Sequence, residues 1–178
     1  MIFLDESGFS QKPPVRRTWA PRGCTPTLVH NFNWKRLSVA GVLICTPAGR
    51  SVRLRLRFQE GSFKSPDIVR FLQALRREFP GPVTLLWDRL PAHKSGQTQA
   101  YIRQAVCEGW LEMEWLPAYA PELNPVEYVW GHLDGGVMAN YAPPTLAELR
   151  QRLHRGCRRM YNRSLLLRSF LKHSGLFF

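Results

Sequence analysis

Apolar and polar positions divide the chain into a run of short strands, followed by strands and helices in turn. Met1 to Asp5 is apolar and strand-prone and breaks at Ser7-Gly8, which predicts a short buried strand with Asp5 at its end. Gln11 to Asn31 is rich in Pro, Gly and Arg and predicts an ordered, irregular loop. Leu37 to Cys45 and Val52 to Phe58 predict the two strands of a hairpin around the turn Thr46-Pro47-Ala48-Gly49. The second strand alternates strictly, with Val52, Leu54, Leu56 and Phe58 on one face and Arg53, Arg55 and Arg57 on the other. Its guanidinium row reads equally as plain amphipathic surface or as a track for phosphates.

Ser65-Pro66-Asp67 opens a helix reaching about Phe79, with a cap-like Ser, a Pro at the first position, and Ile68, Phe71, Leu72 and Leu75 at helical spacing. Gly81-Pro82 stops it. Val83 to Trp87 predicts a strand in the buried centre of a sheet, and Asp88 follows directly. A helix from about Gly96 to Glu108, a strand from Leu111 to Leu116 and the loop Pro117 to Pro121 come next. A helix then starts at Asn124 or Pro125 and ends near Asn140. Pro143-Pro144-Thr145 introduces a helix carrying Arg150, Arg152, Arg155, Arg158 and Arg159, which reads as a solvated face or a contact to a nucleic-acid backbone, and a last helix covers Ser164 to His173. An antiparallel start followed by crossovers implies an α/β fold, with a mixed sheet and helices on its faces. Ligands of such sheets gather at the carboxyl ends of central strands. Asp5 and Asp88 are both expected there, as neighbours in space.

Composition narrows the function. A length of 178 residues with 44% hydrophobic and 12% aromatic positions suits one globular domain, residues 1–178. No apolar run approaches the roughly 20 residues of a membrane span, and the start shows no signal peptide. Four widely spaced cysteines form no C-x-x-C pair, which argues against a zinc site or a disulfide framework and points to a reducing cytoplasm. Twenty-five Lys and Arg against thirteen Asp and Glu give a net charge of +12, favouring a polyanionic partner, nucleic acid first.

Candidate chemistry centres on acids. Asn124-Pro125-Val126-Glu127 reads as N-cap to N3, so Glu127 either closes a capping box with Asn124 or is aimed at the carboxyl edge of the sheet as a third acid beside Asp5 and Asp88. Glu122 and Asp134 are rivals for that third place. Three carboxylates in one pocket repel unless cations neutralise them, and oxygen ligands select Mg²⁺ or Mn²⁺. Two such ions about 4 Å apart can activate a water or a 3′-hydroxyl and stabilise the leaving oxygen of a phosphodiester. His93, Lys94 and Arg89 follow Asp88 and, with Arg53, Arg55 and Arg57, are candidate phosphate or DNA contacts; His93 also reads as ordinary polar surface of a loop. Trp19 reads as packing or as a base-stacking ring, and Trp130 as core.

Several blocks carry a family resemblance. Asp5-Glu6-Ser7-Gly8-Phe9, Arg17-Thr18-Trp19-Ala20-Pro21-Arg22-Gly23-Cys24-Thr25-Pro26, Trp87-Asp88-Arg89-Leu90-Pro91-Ala92-His93-Lys94-Ser95 and Leu116-Pro117-Ala118-Tyr119-Ala120-Pro121-Glu122-Leu123-Asn124-Pro125-Val126-Glu127 occur in this order. Together they resemble DDE transposases of the bacterial insertion-sequence branch of the mariner superfamily. The resemblance implies a ribonuclease H-like fold with a five-stranded mixed sheet and helices on both faces. It also implies a catalytic and metal-binding triad of Asp5, Asp88 and Glu127, two Mg²⁺ or Mn²⁺ ions, and double-stranded DNA as substrate, cut at element ends and joined to a target by a homodimer in the nucleoid-bearing cytoplasm. Arg89 stands where this family often has Asn. The family usually carries helix-turn-helix domains ahead of the catalytic domain. With Asp5 so near the start they are expected to be absent here, and end recognition is expected on a separate subunit or reading-frame product. A ribonuclease H-like nuclease or resolvase without strand transfer, and an inactive DNA-binding remnant, are the competing readings.

Overall fold

A computed structural model describes residues 1–29, 35–88 and 93–176. Strands β1 (Ile2–Ser10), β2 (Arg36–Cys45) and β3 (Val52–Glu60) are followed by helix α1 (Ser65–Glu78), β4 (Val83–Trp87), α2 (Gly96–Cys107) and β5 (Leu111–Trp115). Helices α3 (Pro125–His132), α4 (Leu146–Tyr161) and α5 (Ser164–His173) complete the chain, with a π-helical turn at Leu133–Val137 after α3. The sheet order is β3-β2-β1-β4-β5, antiparallel across β1–β2–β3 and parallel across β1–β4–β5. The expected mixed five-stranded sheet is therefore present.

Strand alternation sorts the core into two layers. Ile2, Leu4, Ala40, Val42, Leu85 and Trp87 pack against α1 and α2 on one face. Phe3, Val39, Leu43 and Leu54 pack against α3, α4 and α5 on the other. Gly41, opposite Asp5 in the ladder, lies beneath Trp130 of α3, and a Cβ there would stand 2.6 Å from the Trp130 ring and 2.9 Å from Leu56 Cδ2. The position has to be glycine for α3 to seat on the sheet. Gly41→Ala is expected to destabilise the protein by about 1–3 kcal/mol through overpacking; an unchanged urea midpoint would show that α3 shifts without strain.

Three local expectations are corrected. Strand β1 does not stop at Asp5: its ladder with β2 runs on through Ser7↔Val39 and Gly8↔Ser38 to Ser10↔Arg36, so a long antiparallel partner overrides the weak strand tendency of Ser7-Gly8. Helix α1 is capped at Lys64 rather than Ser65, placing Ser65 and Pro66 in its first turn. The Asp67 carboxylate accepts from the Lys64 backbone N–H at 3.0 Å and from the Gln59 amide at 3.0 Å. Hydrogen bonds from Gln59, Lys64 and Arg70 pull its pKa down to about 2. Finally, the row of Arg53, Arg55 and Arg57 is interrupted at its centre, with Arg53 exposed and Arg55 engaged by α1. All three share the sheet face of Ala40 and Val42, and Arg55 donates through Nε to Glu78 Oε1 of α1 at 2.9 Å.

Candidate active site

Among the described residues β1 pairs with β4 at Ile2↔Leu85 and Phe3↔Leu86 and no further along. Continuing that parallel register places Asp5 level with Asp88, the residue that follows β4. Two acids distant in sequence thus meet where the parallel strands finish, the usual ligand position of such sheets. The chain returns there a third time. After β5, Leu116 N–H bonds the Trp87 carbonyl at 2.8 Å, and the following loop turns into α3. Asn124 fastens this turn to β1 by donating from its side-chain amide to the Leu4 carbonyl at 3.1 Å.

The result is a cleft of about 600 Å³ bounded by Asp5, Asp88, Glu127 and Lys94, with Leu116 to Pro121 as its rim. Asp5, 6% exposed, points to the α3 face, where Trp130 Nε1–H donates to Oδ2 at 2.7 Å. Trp130 is core, as expected, and also holds an acid. Glu127 is exposed in the first turn of α3. The capping box expected for it is not formed: Asn124 caps the helix by accepting from Val126 N–H at 3.1 Å, while Asn124 N–H goes to the Pro121 carbonyl at 2.9 Å. Glu127 is thereby available to the cleft. The rivals Glu122 and Asp134 are not among the residues that line it.

The electrostatics follow from this crowding. Burial pushes the Asp5 carboxyl up to about 7, with the charges of Glu127, Glu6 and Asp88 adding to the rise and the Trp130 hydrogen bond opposing it. Burial and then the charge of Asp88 raise Glu127. Among the described residues no three His, Cys, Asp or Glu side chains are grouped to hold a metal ion, so the acids share a cleft without converging on one point. As a donor set they fit a hard divalent cation, since all three offer carboxylate oxygen and, after burial, the charges of Glu127 and Asp88 raise Asp5 and that of Asp88 raises Glu127.

The remaining candidates divide. Lys94 is exposed and lines the cleft. Arg89 lies outside the described residues. Arg53, Arg55 and Arg57 are on the face opposite Asp5, with β2 between their strand and β1, so no phosphate track leads from them to Asp5 across that face. His93 is neither loop surface nor open to a phosphate: it is 1% exposed, with Nδ1 2.7 Å from Asp88 Oδ1 and Nε2 2.9 Å from Glu6 Oε2. Burial works against its charge, but the hydrogen bonds to Asp88 and Glu6 prevail and raise its pKa to about 9. Trp19 is fully exposed, so it is not a packing residue among the described residues. Sequence reasoning overlooked Glu6, Asn124 and Tyr119. Tyr119 presents a fully exposed ring on the rim, on a left-handed backbone (φ 60°) uncommon for a non-glycine residue and often found at functional sites; the Ala118-Tyr119-Ala120-Pro121 motif was the available signal.

No curated protein matches the chain. Solved structures do, over nearly all of it. A pre-cleavage Mos1 transpososome aligns with 99% of this chain and 56% of its own at 15% identity and a TM-score of 0.64. The Mos1 mariner paired-end complex with Mn aligns with 98% and 53% at 18% identity and 0.62. The Mos1 transposase catalytic domain and raltegravir with Mg aligns with 98% and 79% at 17% identity and 0.55. The chain spans about half the length of the first two. The likeness is one of fold, the ribonuclease H-like mixed sheet with helices. At the level of sequence, the model of the DDE superfamily endonuclease family matches residues 1–150. The chain belongs to the DDE endonuclease superfamily.

Proposed function

We propose that the chain is the catalytic domain of a transposase of the bacterial insertion-sequence branch, which cuts double-stranded DNA at element ends and joins it to a target. The observation that carries this reading is the meeting of Asp5, Asp88 and Glu127, from three separate segments, in one cleft of a DDE endonuclease fold. These three would hold two Mg²⁺ or Mn²⁺ ions. Bound there, the ions would supply an activated water or 3′-hydroxyl and stabilise the leaving oxygen. Lys94 would meet a phosphate at the mouth, and the +12 charge would draw in DNA that the acids alone repel. The domain would act in the cytoplasm, as a homodimer bringing two ends together. The comparison proteins support the reading as a transpososome and a paired-end complex.

The test is an assay on plasmid DNA and on pre-cleaved element ends. Strand cutting that requires Mg²⁺ or Mn²⁺, followed by joining of pre-cleaved 3′ ends to a target plasmid, is expected. Cutting without joining would favour a nuclease or resolvase; neither activity, with no metal binding by calorimetry, would favour an inactive DNA-binding remnant.

A further inference from the structure

A second carboxylate beside the cleft reaches it indirectly. Because strand side chains alternate, Glu6 lies on the sheet face opposite its neighbour Asp5, across from Ala40 rather than Gly41. There it meets His93, whose ring is stacked on the Trp87 indole at a centroid distance of 3.7 Å and an interplanar angle of 28°. Nε2 of His93 faces Glu6 Oε2 at 2.9 Å and Nδ1 faces Asp88 Oδ1 at 2.7 Å. The His93 carbonyl also accepts from the Gln99 side-chain amide at 2.8 Å, which ties its backbone to α2. The ring is thus fixed flat by an indole and at both nitrogens by carboxylates, and it cannot turn without breaking a buried bond. Whatever holds the ring also sets the position of Asp88 Oδ1. Asp88 itself lies just past β4 and is only partly covered, with a side chain 37% exposed, so strand pairing does not fix its χ angles. Glu6 is the anchor at the far end, held where β1 pairs with β2 at Glu6↔Ala40.

We propose that Glu6 is a positioning residue for Asp88, acting through His93, and sets how the Asp88 carboxylate is presented to a divalent cation in the cleft. This rests on the reading of Asp88 as a metal ligand. Partners that orient ligating carboxylates are commonly worth about 10–100-fold in metal affinity. The simpler role, a staple fastening the segment after β4, would affect stability and leave affinity alone.

The experiment is calorimetric titration of the whole chain with Mn²⁺ alone, paired with thermal unfolding in chelator, for Glu6→Ala, Glu6→Gln, His93→Gln, the Glu6→Ala/His93→Gln double variant and Asp88→Ala. Glu6→Ala and His93→Gln are each expected to weaken Mn²⁺ binding by about 10-fold or more. The double variant should be no worse than the weaker single, because both cut one chain of contacts. Glu6→Gln, which keeps a side-chain oxygen at the same reach, should fall between parent and Glu6→Ala. Parental Mn²⁺ affinity in Glu6→Gln and His93→Gln overturns the proposal, even if Glu6→Ala does not fold and whatever happens to melting temperature. Unchanged binding in Asp88→Ala would remove the ligand reading of Asp88 and this inference with it; binding lost in Asp88→Ala but intact in the Glu6 and His93 variants removes this inference alone.

Discussion

Glu127→Ala is expected to lower Mg²⁺- or Mn²⁺-dependent DNA cutting by about a thousand-fold or more, while Glu122→Ala leaves it within a few-fold. Loss of one metal-holding carboxylate removes several kcal/mol of charge stabilisation from the transition state, and about 4 kcal/mol corresponds to a thousand-fold. Asp5→Ala and Asp88→Ala should show losses of the same order. Glu127 is the most informative of the three because it is the one a helix cap could have explained, and Asn124 already supplies that cap. Its exposed position in the first turn of α3 also means that its removal leaves no cavity, so folding should be preserved and the loss should be chemical. Normal cutting by Glu127→Ala together with loss in Glu122→Ala would move the third acid to the loop before α3.

The second large effect concerns the metal-free protein, whose stability should fall as pH rises from about 4 to about 9. The Asp5 carboxyl is raised from 3.8 to about 7, so the folded state binds its proton more tightly than the unfolded chain does. Stability from this group is complete below pH 3.8 and is lost as pH climbs through 7, to a total of about 4 kcal/mol at most. His93, raised from 6.5 to about 9, has the same sign: its contribution is present below 6.5 and disappears as pH rises through 9. Asp67, held near 2, acts at the acid end, where its contribution is lost as pH drops below 3.8. His154 opposes the trend below 6.5, because burial and then Arg150 and Arg158 lower its pKa. The comparison that isolates the cleft is therefore parent against Asp5→Asn. In chelator, the parent should melt about 10 °C lower at pH 8.5 than at pH 4.5, and Asp5→Asn should lack the part of that fall lying between pH 4 and 7. Saturating Mn²⁺ should flatten the parent profile, because a ligand of the folded state adds stability where the carboxylates are ionised. Identical profiles for parent and variant would mean that Asp5 is not raised.

Much of this arrangement could be read from the chain, and the failures share a cause. Helices α2 and α5 and strands β4 and β5 fall within a residue of their expected bounds, because Gly, Pro and capping residues punctuate them locally. Asp88 was legible for the same reason, as the polar residue after a buried strand. What could not be read depends on partners distant in sequence. The continuation of β1 past Asp5 is imposed by β2, and the pairing of Arg55 by Glu78 of α1. The burial of His93 depends on Glu6 and Trp87, and nothing within a few residues of His93 announces either. Glu127 is the intermediate case: its local sequence favours a cap over a ligand, and only the bond from Asn124 N–H to Pro121 decides against the box.

The unbroken run of β1 through Asp5 and Glu6 makes β-ladder register a parameter of the active centre. Side-chain direction in a strand has a period of two, so a slip of β1 by one residue against β2 would exchange the two acids between faces. Glu6 would then face Trp130 and Asp5 would face the imidazole, the first a methylene too long and the second a methylene too short for its partner. Trp130 seats over Gly41 of β2 while its Nε1–H donates to Asp5 of β1, so the indole is an index mark between the two strands. The next positions along β2, Ala40 and Val42, carry the Cβ that the clearance at Gly41 excludes. A residue with no side chain thereby keeps two carboxylates on their proper sides of the sheet.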